Sequence, residues 1–278
     1  MKGNADSVFL LRSLGGRGRF SVSFYLSGDR EPSPVSSQLH FDKGGNMRDL
    51  QEQPDREWDE KLGILTAGAG EDSPDMVNFR YEPTPYAVLE RLAGSGLIGP
   101  DSVLIDYGCG RGRCTLFLHA KTGCRAIGID HNPVLVGEAK ANLARMTAAG
   151  TGPVNTSASS HKSSAAAGRE DPERAEGQTV TFRRMRAQDY RVTVEDSFYF
   201  FNPFSEVILQ AVLQEIIASW YENPRQIYLF FYYPKDEDVA LVSMYDEILF
   251  YDEIDCTDLY GGQDDRERVL IYELSAEE

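Results

Sequence analysis

Asp106, Gly108, Gly110 and Gly112 alternate with other residues in Asp106-Tyr107-Gly108-Cys109-Gly110-Arg111-Gly112. Glycines at this spacing let a backbone turn tightly and approach a ligand with no Cβ in the way. A helix opening after them presents free N–H groups. Two further acids stand at comparable places, Asp130 closing Gly128-Ile129-Asp130 and Asp189 in Ala187-Gln188-Asp189-Tyr190. Each of the three follows an apolar run, so in a parallel sheet all three lie at the carboxyl ends of strands, where ligands of open α/β sheets bind. Each also has a plainer reading: the glycines as an ordinary strand-to-helix turn, Asp130 as a helix N-cap, Asp189 as a surface turn residue. A fourth apolar run ends in Phe201-Asn202-Pro203-Phe204-Ser205, where Asn202 either meets a ligand or caps the next helix.

The elements that would carry these residues alternate. Thr84 and Pro85 supply a cap and a first-turn proline for a helix with Val88, Leu89 and Leu92 inward, stopped by Gly94 and Gly96. Strands are expected at Ser102–Tyr107, Arg125–Asp130, Val180–Met185, Ser197–Asn202 and Gln226–Tyr232. Between them lie a helix after Gly112 burying Cys114, Phe117 and Leu118, and one started by Asn132-Pro133 with Leu135, Ala139, Leu143 and Met146 inward. Ser205 opens another, carrying Val207, Ile208, Ala211, Val212, Ile216 and Trp220. Continuous apolar strands such as Phe198–Phe201 indicate a sheet covered on both faces. Glu247–Asp255 and Arg268–Leu274 follow with no helix between them, so they should pair antiparallel. The fold class is therefore α/β, a Rossmann-like doubly wound seven-stranded sheet, mostly parallel with a C-terminal antiparallel hairpin.

The nucleotide-dehydrogenase fingerprint is GxGxxG, and here the third glycine comes one residue early. The spacing DxGxGxG resembles motif I of class I S-adenosylmethionine-dependent methyltransferases. That resemblance implies that the loop at Gly108, Gly110 and Gly112 wraps the methionine portion of the cofactor and that Asp106 anchors its ammonium group. It also implies that Asp130 accepts the ribose hydroxyls, with His131 on the sugar or adenine side, and that Gln188 and Asp189 lie near the adenine amino group. Asn202, Pro203 and Phe204 resemble a shortened form of the (D/N)PP(Y/F) motif IV of amino-methylating members, and are the expected catalytic residues on the acceptor side; the second proline is missing. Upstream, Gly63-Ile64-Leu65-Thr66 and Tyr81-Glu82-Pro83-Thr84 are similar to segments of a largely bacterial group with DxGxGxGR and Asn-Pro-Phe motifs. Tyr81 and Glu82 then form a lid over the methionine end of the cofactor, or else pack on the first helix.

The remaining composition limits the reading. The 278 residues and formal charge of −16 allow one catalytic domain whose field repels phosphate backbones, so nucleic acid is disfavoured as a partner. Arg183, Arg184, Arg186 and Arg191 form a local basic stripe, read as a solvated strand face. No apolar run is long enough to span a bilayer, and Cys109, Cys114, Cys124 and Cys256 show neither metal spacing nor a disulfide framework, which fits a reducing cytoplasm. Residues 1–57 read as an extension, a β-hairpin from Ser7–Leu14 and Arg19–Leu26 followed by a flexible linker. Residues 58–278 read as the methyltransferase domain, interrupted at 147–178 by an Ala/Ser/Gly/Thr-rich insertion too poor in large apolar residues to order itself.

The expected activity is methyl transfer from S-adenosyl-L-methionine to a small molecule or a protein side chain, with nitrogen a candidate acceptor atom, without metal. A non-catalytic cofactor-binding scaffold and a nicotinamide-dependent oxidoreductase are the competing classes. The intact glycine motif opposes the first, and the glycine spacing opposes the second.

Overall fold

A computed structural model describes residues 10–13, 20–23, 47–67, 82–151, 179–201, 204–262 and 264–275. Two compact units divide at Gly44/Gly45. In the first, β1 (Leu10–Ser13) pairs antiparallel with β2 (Phe20–Ser23), the expected hairpin with shorter strands.

The second unit begins with α1 (Met47–Leu62), which crosses the expected boundary at 57/58 and replaces part of the expected linker. The sequence hid this helix because its anchoring side chains are polar: Asp59 is buried and Asp55 pairs with Arg113, in place of a broad apolar stripe. Then come α2 (Tyr86–Gly94), β3 (Val103–Tyr107), α3 (Arg113–Thr122), β4 (Arg125–Asp130), α4 (Pro133–Ala149) and β5 (Val180–Arg184). A 3-10 turn at Ala187–Asp189 leads to β6 (Ser197–Phe201), α5 (Glu206–Glu222), β7 (Ile227–Tyr232), α6 (Asp236–Val242), β8 (Leu249–Asp255) and, past a second 3-10 turn at Thr257–Tyr260, β9 (Arg268–Leu274). The seven-residue α6 was not expected. Most of the 147–178 insertion lies outside the described residues, and α4 already extends over Thr147–Ala149.

The sheet runs β5-β4-β3-β6-β7-β9-β8. The first five are parallel, and β9 pairs antiparallel with both β7 and β8, so the expected seven-stranded architecture is observed. Alternating side chains feed two cores. Leu104, Tyr199 and Phe230 pack with α2, α3 and α4 on one face. Ile105, Phe198, Phe200 and Phe231 pack with α5 and α6 on the other. This two-sided burial is why the strands read as nearly continuous apolar runs.

Two local expectations fail. Thr84 is not a helix cap, because its hydroxyl lies 2.8 Å from that of Tyr199 and Pro85 occupies the cap position. Val207 faces outward, 76% exposed, one position off the apolar stripe of α5. Asn132 does cap α4, accepting from the N–H groups of Val134 and Leu135. No helix among the described residues is long and apolar enough to cross a membrane.

Candidate functional site

The chain leaves β3 for β4 on one side of it and returns to β6 on the other. This topological switch opens a crevice at the carboxyl end of β3. A cavity of about 340 Å³ occupies it, lined by Glu82, Asp106, Gly108, Gly110, Asp130, His131, Gln188 and Phe204, among others.

Motif geometry follows from the residue types. Gly108, Gly110 and Gly112 all have positive φ, 81°, 52° and 85°. At Gly112 a Cβ would stand 2.6 Å from the ring of Phe182, so this glycine is required for the loop to close on β5. The N–H groups of Gly108 and Cys109 both donate to the carbonyl of Ile129, at 2.8 and 3.0 Å. The loop is thus tied to the end of β4 by two backbone bonds.

Asp106 is buried and accepts from the N–H and hydroxyl of Thr115 at 3.1 and 2.5 Å. Burial pushes its carboxyl up to about 6, against the lowering effect of those two bonds. Asp130 accepts from Gly110 N–H with Oδ2 and from Asn132 N–H with Oδ1. His131 lies at the rim, 83% exposed, its Nδ1 3.6 Å from Asp130.

At the β5 end, Met185, Arg186, Ala187 and Gln188 line the cavity. The buried Oε1 of Gln188 has no hydrogen-bond partner among the described residues. Asp189 does not line the cavity. Its carboxylate turns outward to Arg186, at 2.8 and 3.0 Å, so the plainer reading of it as a surface turn residue matches its position. Tyr81, Asn202 and Pro203 lie outside the described residues, whereas Glu82 and Phe204 line the cavity.

Sequence reasoning missed a buried polar group behind the loop. Asp59 accepts from the N–H of Thr66 at 2.5 Å, the N–H of Ala67 at 2.7 Å, and the hydroxyls of Thr66 and Tyr86, both at 2.6 Å. Arg113, 2% exposed and lining the cavity, donates through Nε to Thr66 and through Nη1 to Asp55 and the carbonyl of Thr84. Its guanidinium also lies over the Tyr86 ring, 4.5 Å from the centroid. Thr66 closes the segment Gly63-Ile64-Leu65-Thr66, but nothing local in the sequence pairs it with Asp59 or Arg113, respectively 7 and 47 positions away.

No family model and no curated protein matches the chain. Solved structures resemble it at low identity. An RNA methyltransferase from Salinibacter ruber in complex with S-adenosyl-L-homocysteine is 16% identical, with 71% of this chain and 96% of that one covered, at a TM-score of 0.44. The magnesium protoporphyrin IX methyltransferase from Synechocystis with bound S-adenosylmethionine is 12% identical, covering 85% and 100%, at 0.42. The precorrin 8w decarboxylase of Methanobacterium thermoautotrophicum is 19% identical, covering 70% and 93%, at 0.44. At TM-scores below 0.5 these likenesses support no statement about this chain, and the reading of its site rests on the geometry above.

Proposed function

We propose that the chain is an S-adenosyl-L-methionine-dependent methyltransferase. The observation that carries this is the meeting, in one cavity, of the glycine loop, the buried Asp106 at its head and Asp130 at the end of the neighbouring strand. The donor set fits the cofactor. Asp106 offers a carboxylate for an ammonium group, Asp130 keeps acceptor capacity beyond its two backbone bonds for ribose hydroxyls, and the unpartnered Gln188 Oε1 suits an adenine amino group. A pyrophosphate, by contrast, would meet two carboxylates at the loop, which disfavours a dinucleotide.

When bound, the cofactor supplies an electrophilic methyl group on a sulfonium. The chain's own residues then bind, orient and exclude water. Tyr199, Phe201, Phe204 and Ile208 form the apolar side of the cavity at the end of β6. Glu82 stands there as a wall residue, in keeping with the lid reading.

Calorimetry with S-adenosylhomocysteine and NAD tests the assignment. One-to-one binding of the former without the latter is expected. Binding of NAD alone overturns the reading, and binding of neither removes the cofactor role from this cavity.

A further inference from the structure

The β6 and β7 end of the cavity has a character that the cofactor reading leaves unused. Phe201 lines the cavity and packs on Tyr232, ring centroids 4.8 Å apart. The Tyr232 hydroxyl donates to Glu267 at 2.7 Å and lies 3.4 Å from that of Tyr260. Glu267 in turn feels the negative charge of Glu82, which is itself a wall of the cavity. Aromatic rings and carboxylates therefore close a circuit at this end.

Its charge is one-sided. Glu82 and Arg113 line the cavity here, Arg113 pairs with Asp55, and Glu267 and Asp264 share one guanidinium, Arg266, which lies over the Tyr233 ring at 4.2 Å and donates to its hydroxyl. The other guanidinium of the cavity wall, Arg186, pairs with Asp189 at the β5 end. Such a site repels phosphate and attracts a cation, and ring faces add cation–π attraction.

The corner is also held under strain. Tyr233 is the only non-glycine residue with positive φ among those described, at 52°. Its hydroxyl donates to Asp264 at 2.6 Å and its N–H to the carbonyl of Arg268 at 3.0 Å. Contacts that over-determine an unfavourable backbone are typical of ligand clamps.

We propose that the methyl acceptor is a cationic amine, an ammonium group on a flexible stem, received at the Phe201 and Glu82 end of the cavity; this rests on the methyl-transfer reading. The ammonium gives one proton to a carboxylate or to water. Its nitrogen then forms the new N–C bond while the donor C–S bond breaks and the electron pair returns to sulfur, leaving a neutral thioether and a methylated ammonium. Glu267 accepts the hydroxyl of Tyr232, on which Phe201 packs, and burial, with Asp264 and Glu82 adding, raises its carboxyl above the usual range.

The amine can be free or carried on a lysine side chain, and the two sources are separated by probe. Calorimetry with S-adenosylhomocysteine comes first, because its failure strikes the cofactor reading alone. The protein, with and without S-adenosylhomocysteine, is then titrated with spermidine and with a lysine-bearing hexapeptide, each beside its N-acetylated counterpart. One cationic probe should bind and its acetylated form should not. Glu82→Gln should weaken that binding at least ten-fold, and Glu267→Gln should do so while changing S-adenosylhomocysteine affinity less than two-fold. Labelled methyl from S-adenosylmethionine should appear on the amine that binds. Equal binding of charged and acetylated probes, no binding of either amine, or label transferred to an RNA oligonucleotide instead would each overturn the proposal.

Discussion

Asp130 braces the glycine loop: its Oδ2 accepts the N–H of Gly110 at 3.1 Å, although the two residues are 20 positions apart. The acid at the end of β4 thus shapes the loop at the end of β3 while facing the cavity. Asp130→Ala should weaken S-adenosylhomocysteine binding by about 1–3 kcal/mol, the usual cost of leaving polar partners without an acceptor. Asp130→Asn, which keeps one carbonyl oxygen, should lose less. An unchanged dissociation constant for the alanine variant in calorimetry would remove Asp130 from the site.

Asp106 should make both stability and affinity depend on pH. Its folded carboxyl sits at about 6, above the ~3.9 of an unfolded aspartate, so between those values the native state holds more protons than the unfolded chain. Stability from this group is therefore fully present below ~4 and is lost as pH rises through 6, by on the order of 3 kcal/mol. Asp196, Asp238 and Glu267 are raised as well and slope the same way, so the informative quantity is the difference between wild type and Asp106→Asn. A ligand ammonium needs the ionised form, so S-adenosylhomocysteine affinity should fall below pH 6 in the wild type only. Parallel pH profiles for the two proteins would refute this assignment.

The Asp59 cluster should govern folding. Asp59→Ala leaves two N–H groups and two hydroxyls without their acceptor, in a site where Asp59 itself is 5% exposed. Breaking such a buried charged network costs ~3–5 kcal/mol, which for a domain of this size lowers Tm by on the order of 10 °C. Thr66→Val, which removes one hydroxyl, should cost about a third as much. Thermal unfolding followed by circular dichroism decides it, and a Tm shift under about 2 °C for Asp59→Ala would show the cluster to be dispensable.

The contrast between that cluster and the glycine loop shows what the sequence makes legible. Strands β3, β4, β6, β7 and β9 were readable because apolar runs buried on both faces leave a local signature. Asp106, Asp130 and the glycines were readable because their chemistry is packed into a short stretch. Asp59, Tyr86 and Arg113 were not, since each contributes one polar group to a site that exists only after α1, α2 and α3 come together. Asp189 stood between two readings for a related reason: adjacency to Gln188 in sequence does not fix which of the two side chains turns inward on a 3-10 turn.

Thr151 marks where a deletion in the 147–178 region should begin to matter. Its hydroxyl donates to the carbonyl of Leu62 at 2.7 Å, tying the end of α4 to the end of α1. Replacing residues 153–177 with a short Gly-Ser bridge should change Tm little, because the segment is poor in large apolar residues and loop-length effects on closure entropy are small. Extending the deletion through Thr151 should lower Tm measurably. A collapse of folding in the shorter deletion would show that the insertion contributes to the core.

Gly108 and Gly112 share a left-handed backbone, at φ 81° and 85°, yet should fail differently when given a side chain. Alanine at either position carries the conformational penalty of that region, ~1–2 kcal/mol. At Gly112 the new Cβ also meets Phe182 at 2.6 Å and Ala139 at 3.3 Å, so the loop or β5 must shift and Tm should fall further. At Gly108 nothing lies within 4 Å of such a Cβ, and the residue itself lines the cavity. Gly108→Ala should therefore be the more stable of the two variants and still lose S-adenosylhomocysteine affinity, by ten-fold or more if the ligand follows the loop closely. Equal stability of the two variants would contradict the packing of Gly112 on Phe182. Wild-type affinity in Gly108→Ala would mean that the ligand does not run along this turn.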